Sequence, residues 1–312
     1  FNGDPDTWTP EAFDAVRDTM RKRGVFRALP TFITDDPERM LRRARRYAEI
    51  VGGAEELAVS FPLIHVEGPF VSPEEGPRGA HPKAHCAVPA EHPGFLDRVL
   101  EACGHRLGIL TLAPELPGAL DLIAEAHGRG VLVAIGHTGA EPETIRAAVD
   151  RGARLSTHLG NGSHRRLPRL ENYVQAQLAE DRLSASFIAD GIHVPFYTLK
   201  NFLRAKTPGR SVLITDAVAP AEMPPGRYRL GDEEVVLTEE GRVSKPGEWN
   251  LAGSALTLDR AVINTARHCE VAFEEAWAMA SRRPAELVGL EPGPEIRVET
   301  SLQRFERIEV SP

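Results

Sequence analysis

The sequence predicts an α/β fold of the closed (β/α)8 TIM-type barrel kind, and three observations carry that prediction. First, Val131-Leu-Val-Ala-Ile-Gly-His137 and Ala153-Arg-Leu-Ser-Thr-His158 are apolar runs too short for buried helices, each stopping at a histidine followed by small or turn residues. Second, the segment between them reads as a helix: Pro142 stands at its start, Ile145, Ala148 and Val149 share one apolar face, and Gly152 closes it. The unit is therefore β-α-β, with His137 and His158 at the carboxyl ends of parallel strands. Third, strand signals recur near residues 25, 60, 107, 131, 153, 184 and 211, each followed by helix or loop. That makes seven strands where a closed barrel needs eight, so one is expected to be unseen or to precede Phe1, where the chain opens without a Met.

Bulk properties narrow the partners. The chain has 312 residues, a length that suits one large barrel, and no repeat or Ser/Gly-rich linker divides it. A formal charge of −8 argues against a nucleic-acid surface, and no apolar run approaches a membrane span. Cys86, Cys103 and Cys269 form no C-x-x-C pair and are too few for a disulfide framework, which fits a reducing cytoplasm. No signal peptide is visible. The partners this leaves are small molecules.

Taken in order, Thr9 caps a helix that starts at Pro10, carries Phe13, Val16 and Met20 along one face, and ends at Gly24. Val25 to Ile33 reads as a strand. A helix from Pro37 turns Met40, Leu41, Ala44, Tyr47 and Ala48 inward, leaving Arg42, Arg43, Arg45 and Arg46 as its solvated face. Leu57 to Val66 reads as the next strand and ends in His65-Val66-Glu67-Gly68-Pro69-Phe70. Period-two alternation puts His65 and Glu67 on one side, and a carboxylate facing a barrel interior is costly unless paired or metal-bound. Glu67 is thus a third candidate ligand beside His137 and His158.

The Gly-, Pro- and His-rich loop through Gly79-Ala80-His81-Pro82 and His85 reads as a cover over the barrel mouth. A helix over Phe95 to Ala102 and a strand over Leu107 to Leu112 lead to Glu115, which suits a site acid and a helix-start acid equally. Leu183 to Ile188 is a strand ending in Ala189-Asp190-Gly191-Ile192-His193, and Ser211 to Thr215 one ending in Asp216. Beyond it the pattern becomes a β-meander, with strands at Arg227 to Leu230, Glu234 to Leu237 and Arg242 to Ser244. Helices follow over Leu256 to His268 and Glu274 to Ala280, and Glu295 to Val310 alternates weakly. The expected organisation is one barrel over residues 1–290 with a C-terminal tail, or remnant of a small β-domain, over 291–312.

One carboxylate and two imidazoles suit zinc, leave a position for water, and also accept iron, manganese or cobalt. Asp216 is then expected to act as general base and afterwards general acid, and His193 to donate to a developing oxyanion. The reaction class is hydrolysis of an amide or a similar bond.

His65-Val-Glu67-Gly-Pro69-Phe70, Leu112-Ala-Pro-Glu115, Gly136-His137-Thr138, Thr157-His158-Leu-Gly-Asn161, Ile188-Ala-Asp-Gly-Ile-His193 and Ile214-Thr-Asp216-Ala217 occur in this order. Together they resemble the N-acetylglucosamine-6-phosphate deacetylases of the metal-dependent amidohydrolase superfamily, over roughly residues 1 to 290. The resemblance implies a β/α barrel, metal ligation by Glu67, His137 and His158, Asp216 as catalytic acid/base and His193 as a substrate contact. It further implies that Ala80, His81, Asn161, Gly162, Leu251, Ala252, Gly253 and Ser254 hold the sugar phosphate, and that the enzyme is a homodimer. The family's first-strand His-x-His or Gln-x-Asn pair is absent, so one metal is expected and a second is left open. Where the family reads Asn-Ala-Met and then an Arg-x-Pro-Gly-like run, this chain has Asn161-Gly-Ser163-His164-Arg165-Arg166-Leu-Pro168-Arg169, with Arg169 at the spacing of the phosphate-binding arginine. Two other readings stand beside this one: an amidohydrolase acting on an unphosphorylated N-acyl compound or a cyclic amide, and a non-catalytic barrel used for binding.

Overall fold

Strand and helix alternate as the apolar runs predict, and a computed structural model describes residues 3–231, 233–248, 250–291, 293–300 and 305–310. The chain forms two compact units, one of residues Phe1–Arg17 and Arg27–Leu183, the other of Asp18–Phe26 and Ser184–Pro312.

The first unit contains α1 (Pro10–Arg21, whose last turn belongs to the second), β1 (Thr31–Ile33), α2 (Pro37–Gly52), α3 (Glu55–Ser60) and β2 (Ile64–Glu67). These are followed by α4 (Phe95–Ala102), β3 (Leu107–Leu112), α5 (Ala119–Gly128), β4 (Leu132–Ile135), α6 (Pro142–Asp150), β5 (Ala153–Ser156) and α7 (Tyr173–Ala179). Strands β1 to β5 pair in parallel in chain order. Ile33 lies beside Glu67, Glu67 beside Thr111, Thr111 beside Ala134, and Ile135 beside Ser156. That register sets one row of strand tips level, so residues just past each strand share one rim. The helices pack their apolar stripes on the outside: Ile145, Ala148 and Val149 of α6 are buried, as their spacing requires. A ring cluster of Trp8, Phe13, Phe32, Tyr47 and Phe61, with neighbouring centroids 5.6 to 6.2 Å apart, fills the space beneath α1 and α2.

Three local expectations are corrected. The first strand is only Thr31–Ile33, because Pro30 carries no N–H for a ladder, although its carbonyl accepts from His65 N at 3.0 Å. The run Leu57 to Val66 divides into helix α3 and strand β2. Its buried residues Leu57, Ser60 and Phe61 fall at i, i+3 and i+4, a helical spacing, and Phe61 N donates to the Leu57 carbonyl at 2.7 Å before Pro62 stops the turn. On α2, Arg42 and Arg45 are exposed, but Arg43 is 3% exposed and its Nη2 donates to Asp35 Oδ2 at 2.7 Å. Burial lowers the Arg43 pKa while the Asp35 carboxylate works against that shift, which is how a charged arginine is kept inside.

The second unit holds β6 (Ser184–Ile188), α8 (Phe196–Lys206) and β7 (Ser211–Ile214), with β6 and β7 parallel and Ile188 beside Ile214. Next come β8 (Gly226–Leu230), β9 (Glu233–Leu237), β10 (Arg242–Ser244) and β11 (Leu251–Ser254), an antiparallel meander around Val235, Leu237, Val243 and Ala252. Ser254 N donates to the Asp216 carbonyl and Val218 N to the Ser254 carbonyl, both at 3.0 Å, so β11 is fastened beside the tip of β7. Helices α9 (Leu258–His268), α10 (Phe273–Ala280) and α11 (Arg282–Leu287) follow, then an antiparallel pair β12 (Ile296–Thr300) and β13 (Phe305–Val310). No helix among the described residues is long and apolar enough to cross a membrane.

Candidate metal centre

At the rim of the first unit, side chains from three strand tips and one loop converge. Glu67 is the last residue of β2, while His137 and His158 lie two residues past the ends of β4 and β5. Glu67 Oε1 is 3.0 Å from His137 Nε2 and 2.8 Å from His158 Nε2, and the two Nε2 atoms are 3.1 Å apart. All three side chains are nearly sealed from solvent, at 3%, 5% and 3% exposure for Glu67, His137 and His158. His137 Nδ1 donates to the Pro77 carbonyl at 2.8 Å, because that acceptor has no proton to offer. In the neutral ring the tautomer is thereby set, and a nitrogen lone pair at Nε2 faces a carboxylate oxygen.

Lone pairs directed at one another repel unless a cation sits among them. Ligand atoms around a tetrahedral zinc, at bond lengths of about 2.0–2.1 Å, stand roughly 3.3 Å apart, close to the spacings found here. The residues therefore fit a divalent cation, and the Pro77 carbonyl is the outer hydrogen-bond partner that a ligating histidine ordinarily has.

His81, expected among the residues that hold sugar phosphate, lies at this same cluster. It is 5% exposed, and its Nε2 is 3.1 Å from His137 Nε2. Glu67, His81 and His137 each offer a ligand atom within 4.8 Å of the others. Burial alone would raise the Glu67 carboxyl, but when the His158 and His137 rings are protonated their charge and donated hydrogen bonds outweigh it and hold the group well below the usual carboxylate range. Burial, reinforced by His137, pushes His81 well below an ordinary imidazole. Desolvation likewise lowers His65 to about 4, so this ring is neutral near pH 7. His65 Nε2 is 2.7 Å from Thr111 Oγ1, which is itself 2.7 Å from Thr157 Oγ1, forming a buried polar row across β2, β3 and the end of β5.

Backbone strain marks strand tips in each unit. His137 and His158 have φ of 50° and 30°, in the left-handed region that β-carbons disfavour. Asp216, just past β7 in the second unit, has φ of 50°. In that unit His193 Nδ1 lies 2.6 Å from Asp190 Oδ2, while its Nε2 is buried without a hydrogen-bond partner among the described residues. Burial acts to raise the Asp190 carboxyl, but hydrogen bonds from the His193 ring and from the backbone N–H groups of His193 and Ile192 hold it below its usual value. A buried imidazole nitrogen left open in this way suits a ligand contact.

The remaining predicted residues are more scattered. Ala80 and Arg169 are exposed and Asn161 is half-buried. Gly162 packs on the His137 ring so closely that a β-carbon there would come within 2.7 Å of Nδ1. Leu251, Ala252, Gly253 and Ser254 form β11. Glu115 resolves to a loop-holding acid, accepting from the Thr138 hydroxyl and from Gly139 N just past His137. In the segment that departs from the family pattern, the Tyr173 hydroxyl accepts from His164 N at 2.8 Å and pairs with His164 Nδ1 at 3.0 Å.

Sequence reasoning did not single out Thr34. It follows β1, is 2% exposed, and its hydroxyl lies 2.7 Å from His81 Nδ1. The available signal was a threonine at the tip of a short apolar strand, one residue past Ile33, which lies beside Glu67. Gly68, at φ +96°, has no room for a side chain, since a β-carbon would fall 2.0 Å from Thr34 Oγ1. Gly68→Ala is therefore expected to destabilise the fold by about 1–3 kcal/mol, as strained backbone positions do. Thermal denaturation of the variant checks this, and an unchanged melting temperature would show that the strand tips can part without cost.

No protein-family model matches the chain. Relatives are plain nonetheless. It is 34% identical over 289 residues to an N-acetylgalactosamine-6-phosphate deacetylase of Escherichia coli O157:H7, covering 90% of this chain and 73% of that one. It is 33% identical over 280 residues to an N-acetylglucosamine-6-phosphate deacetylase of Danio rerio, covering 86% of this chain and 66% of that protein. The chain thus spans about two thirds to three quarters of these curated relatives. Among solved structures, it resembles a variant N-acetyl-D-glucosamine-6-phosphate deacetylase of Mycobacterium smegmatis, in complex with N-acetyl-D-glucosamine-6-phosphate. The TM-score is 0.87 at 28% identity, covering 99% of this chain and 82% of that one. Sequence and fold thus agree with strand-tip geometry, and the chain belongs to the family of hydrolases that includes these N-acetylgalactosamine- and N-acetylglucosamine-6-phosphate deacetylases.

Proposed function

We propose that this chain hydrolyses the acetamide of an N-acetylated amino-sugar 6-phosphate, with N-acetylglucosamine 6-phosphate as the substrate and glucosamine 6-phosphate and acetate as products. The observation that carries the reading is the convergence of Glu67 Oε1 with the Nε2 atoms of His137 and His158, at 2.8 to 3.1 Å, in a site sealed from solvent. A divalent cation held there, one zinc in this reading, lowers the pKa of water and polarises a carbonyl. Asp216 takes a proton from the attacking water and returns it to the nitrogen as the C–N bond breaks, so that amine and acetate leave with atoms balanced. His193, steadied by Asp190, turns its open Nε2 to the substrate. Ala80, Asn161, Gly162 and residues 251–254 shape the sugar site, and Arg169 holds the phosphate.

The same reading makes the enzyme a cytoplasmic homodimer whose barrel covers residues 1–290. Its test is acetate release from N-acetylglucosamine 6-phosphate, its galacto epimer and unphosphorylated N-acetylglucosamine, before and after chelation and zinc return. Chelation is expected to abolish turnover and zinc to restore it. Charge-assisted bonds to a phosphate contribute about 1.5–3 kcal/mol, so the phosphorylated sugar should be favoured roughly 10- to 100-fold in kcat/KM, and Arg169→Ala should erase the preference. Equal rates on both sugars would move the assignment to an unphosphorylated N-acyl substrate.

A further inference from the structure

We infer that Tyr173 and His164 are positioning residues for phosphate recognition, stapling the arginine-bearing segment 165–169 into a fixed loop before the sugar phosphate arrives. This rests on the reading above, in which Arg169 holds the phosphate. The segment is the one that departs from the family pattern, and it lies just past Asn161 and Gly162. Tyr173 is 6% exposed, and its hydroxyl accepts from His164 N at 2.8 Å and pairs with His164 Nδ1 at 3.0 Å. A phenol gives one proton and accepts through its oxygen, so it serves both groups whichever tautomer the ring adopts. Burial pushes the Tyr173 phenol up, so that proton stays in place near neutral pH.

A second tie closes the loop four residues on. Asn172 Nδ2 donates to the Pro168 carbonyl at 2.9 Å, while its Oδ1 accepts from Val174 N and Gln175 N at 3.1 and 3.0 Å and caps α7. Arg165 and Arg166 thus stand between two fixed points, and Arg169 immediately follows the second; all three are exposed. The near end is held from the other side as well. A β-carbon on Gly76 would fall 2.8 Å from His164 Cα, so the 74–79 loop meets His164 backbone to backbone. A β-carbon on Gly139, two residues past His137, would touch His164 Cε1 at 3.5 Å. Glu74 Oε2, 3.5 Å from His164 Nε2, adds an exposed contact worth little by itself.

Ordering a mobile arginine loop on binding costs conformational entropy, and a loop already tied at both ends meets that cost when the chain folds. The two ties join groups within residues 164–173 and act through Arg169. Their effect therefore falls on affinity for the phosphorylated sugar and not on breaking the amide bond.

The test is steady-state kinetics of the zinc-loaded full chain on N-acetylglucosamine 6-phosphate and on unphosphorylated N-acetylglucosamine, with a melting curve for each variant. Tyr173→Phe keeps the ring and removes the hydroxyl, and Asn172→Ser keeps a helix cap and removes the tie to Pro168. Each should raise KM for the phosphorylated sugar roughly 3- to 10-fold, as the loss of one or two hydrogen bonds does, with kcat within about twofold. Kinetics on the unphosphorylated sugar should not move. In an Arg169→Ala background, Tyr173→Phe should change KM by less than about twofold, because the loop then has no phosphate contact to place. Should Asn172→Ser not fold, Tyr173→Phe decides. Variants that melt lower while KM and the phosphate preference stay put make the ties purely structural and overturn the inference. A Tyr173→Phe effect undiminished without Arg169 overturns it too, and both results leave the phosphate reading standing. A parent that hydrolyses both sugars alike, or neither, overturns the inference and that reading together.

Discussion

Asp216→Asn is expected to lower kcat by roughly 10²- to 10⁴-fold, the span that a positioned general base contributes, with zinc content and fold unchanged. The substitution isolates proton transfer because little else changes. Asparagine keeps the shape and one acceptor oxygen but cannot take a proton from water. It also keeps the backbone in place: Asp216 sits at φ 50°, and Asp and Asn are the residues other than glycine that best tolerate that region. The carbonyl that accepts from Ser254 N is untouched, so β11 stays fastened. Steady-state kinetics on N-acetylglucosamine 6-phosphate, with metal analysis of the same sample, read the effect. Activity within a few-fold of the parent would remove Asp216 from the chemistry.

Glu67→Gln should act on the metal itself. Glu67 is the one carboxylate of the cluster, 2% exposed, with imidazole nitrogens at 2.8 and 3.0 Å. Glutamine preserves volume and one oxygen but removes the charge that offsets a dication in a place without water. Breaking a buried ionic contact from one side costs about 3–5 kcal/mol, which corresponds to a loss of roughly 10²- to 10⁴-fold in zinc affinity. Chelator competition measures this directly, and excess zinc should recover part of the turnover. If affinity stayed within threefold of the parent, the carboxylate would be a structural partner of the two histidines and not a ligand.

The legibility of this fold varied with the kind of residue. The β4-α6-β5 unit was readable because its signals are local: a proline start, an apolar stripe at helical spacing, a closing glycine, and two runs ending at histidines. The stretch from Leu57 to Val66 was not, because a run of ten residues carries period-two and period-3.6 patterns equally well, and the burial of Leu57, Ser60 and Phe61 is chosen by what packs on them. Arg43 was placed outside on its chemistry, although Asp35, eight residues before it, makes the interior affordable. Glu67, His137 and His158 were found because each ends a strand. His81 was assigned from the family's sugar-phosphate segment, since a loop histidine has no periodicity to say which way it faces.

By itself the sequence determined the strand tips, the carboxylate and two imidazoles that stand at them, and a family resemblance that its relatives bear out. Those are properties of short segments, set by side-chain spacing and turn chemistry within about twenty residues. The tertiary structure alone decided that His81 meets His137, that the Thr34 hydroxyl lies against its ring, and that Gly68 admits no side chain. Such contacts join residues 34 to 56 positions apart, and their distances exist only once parallel strands lie in register and bring remote loops over one rim.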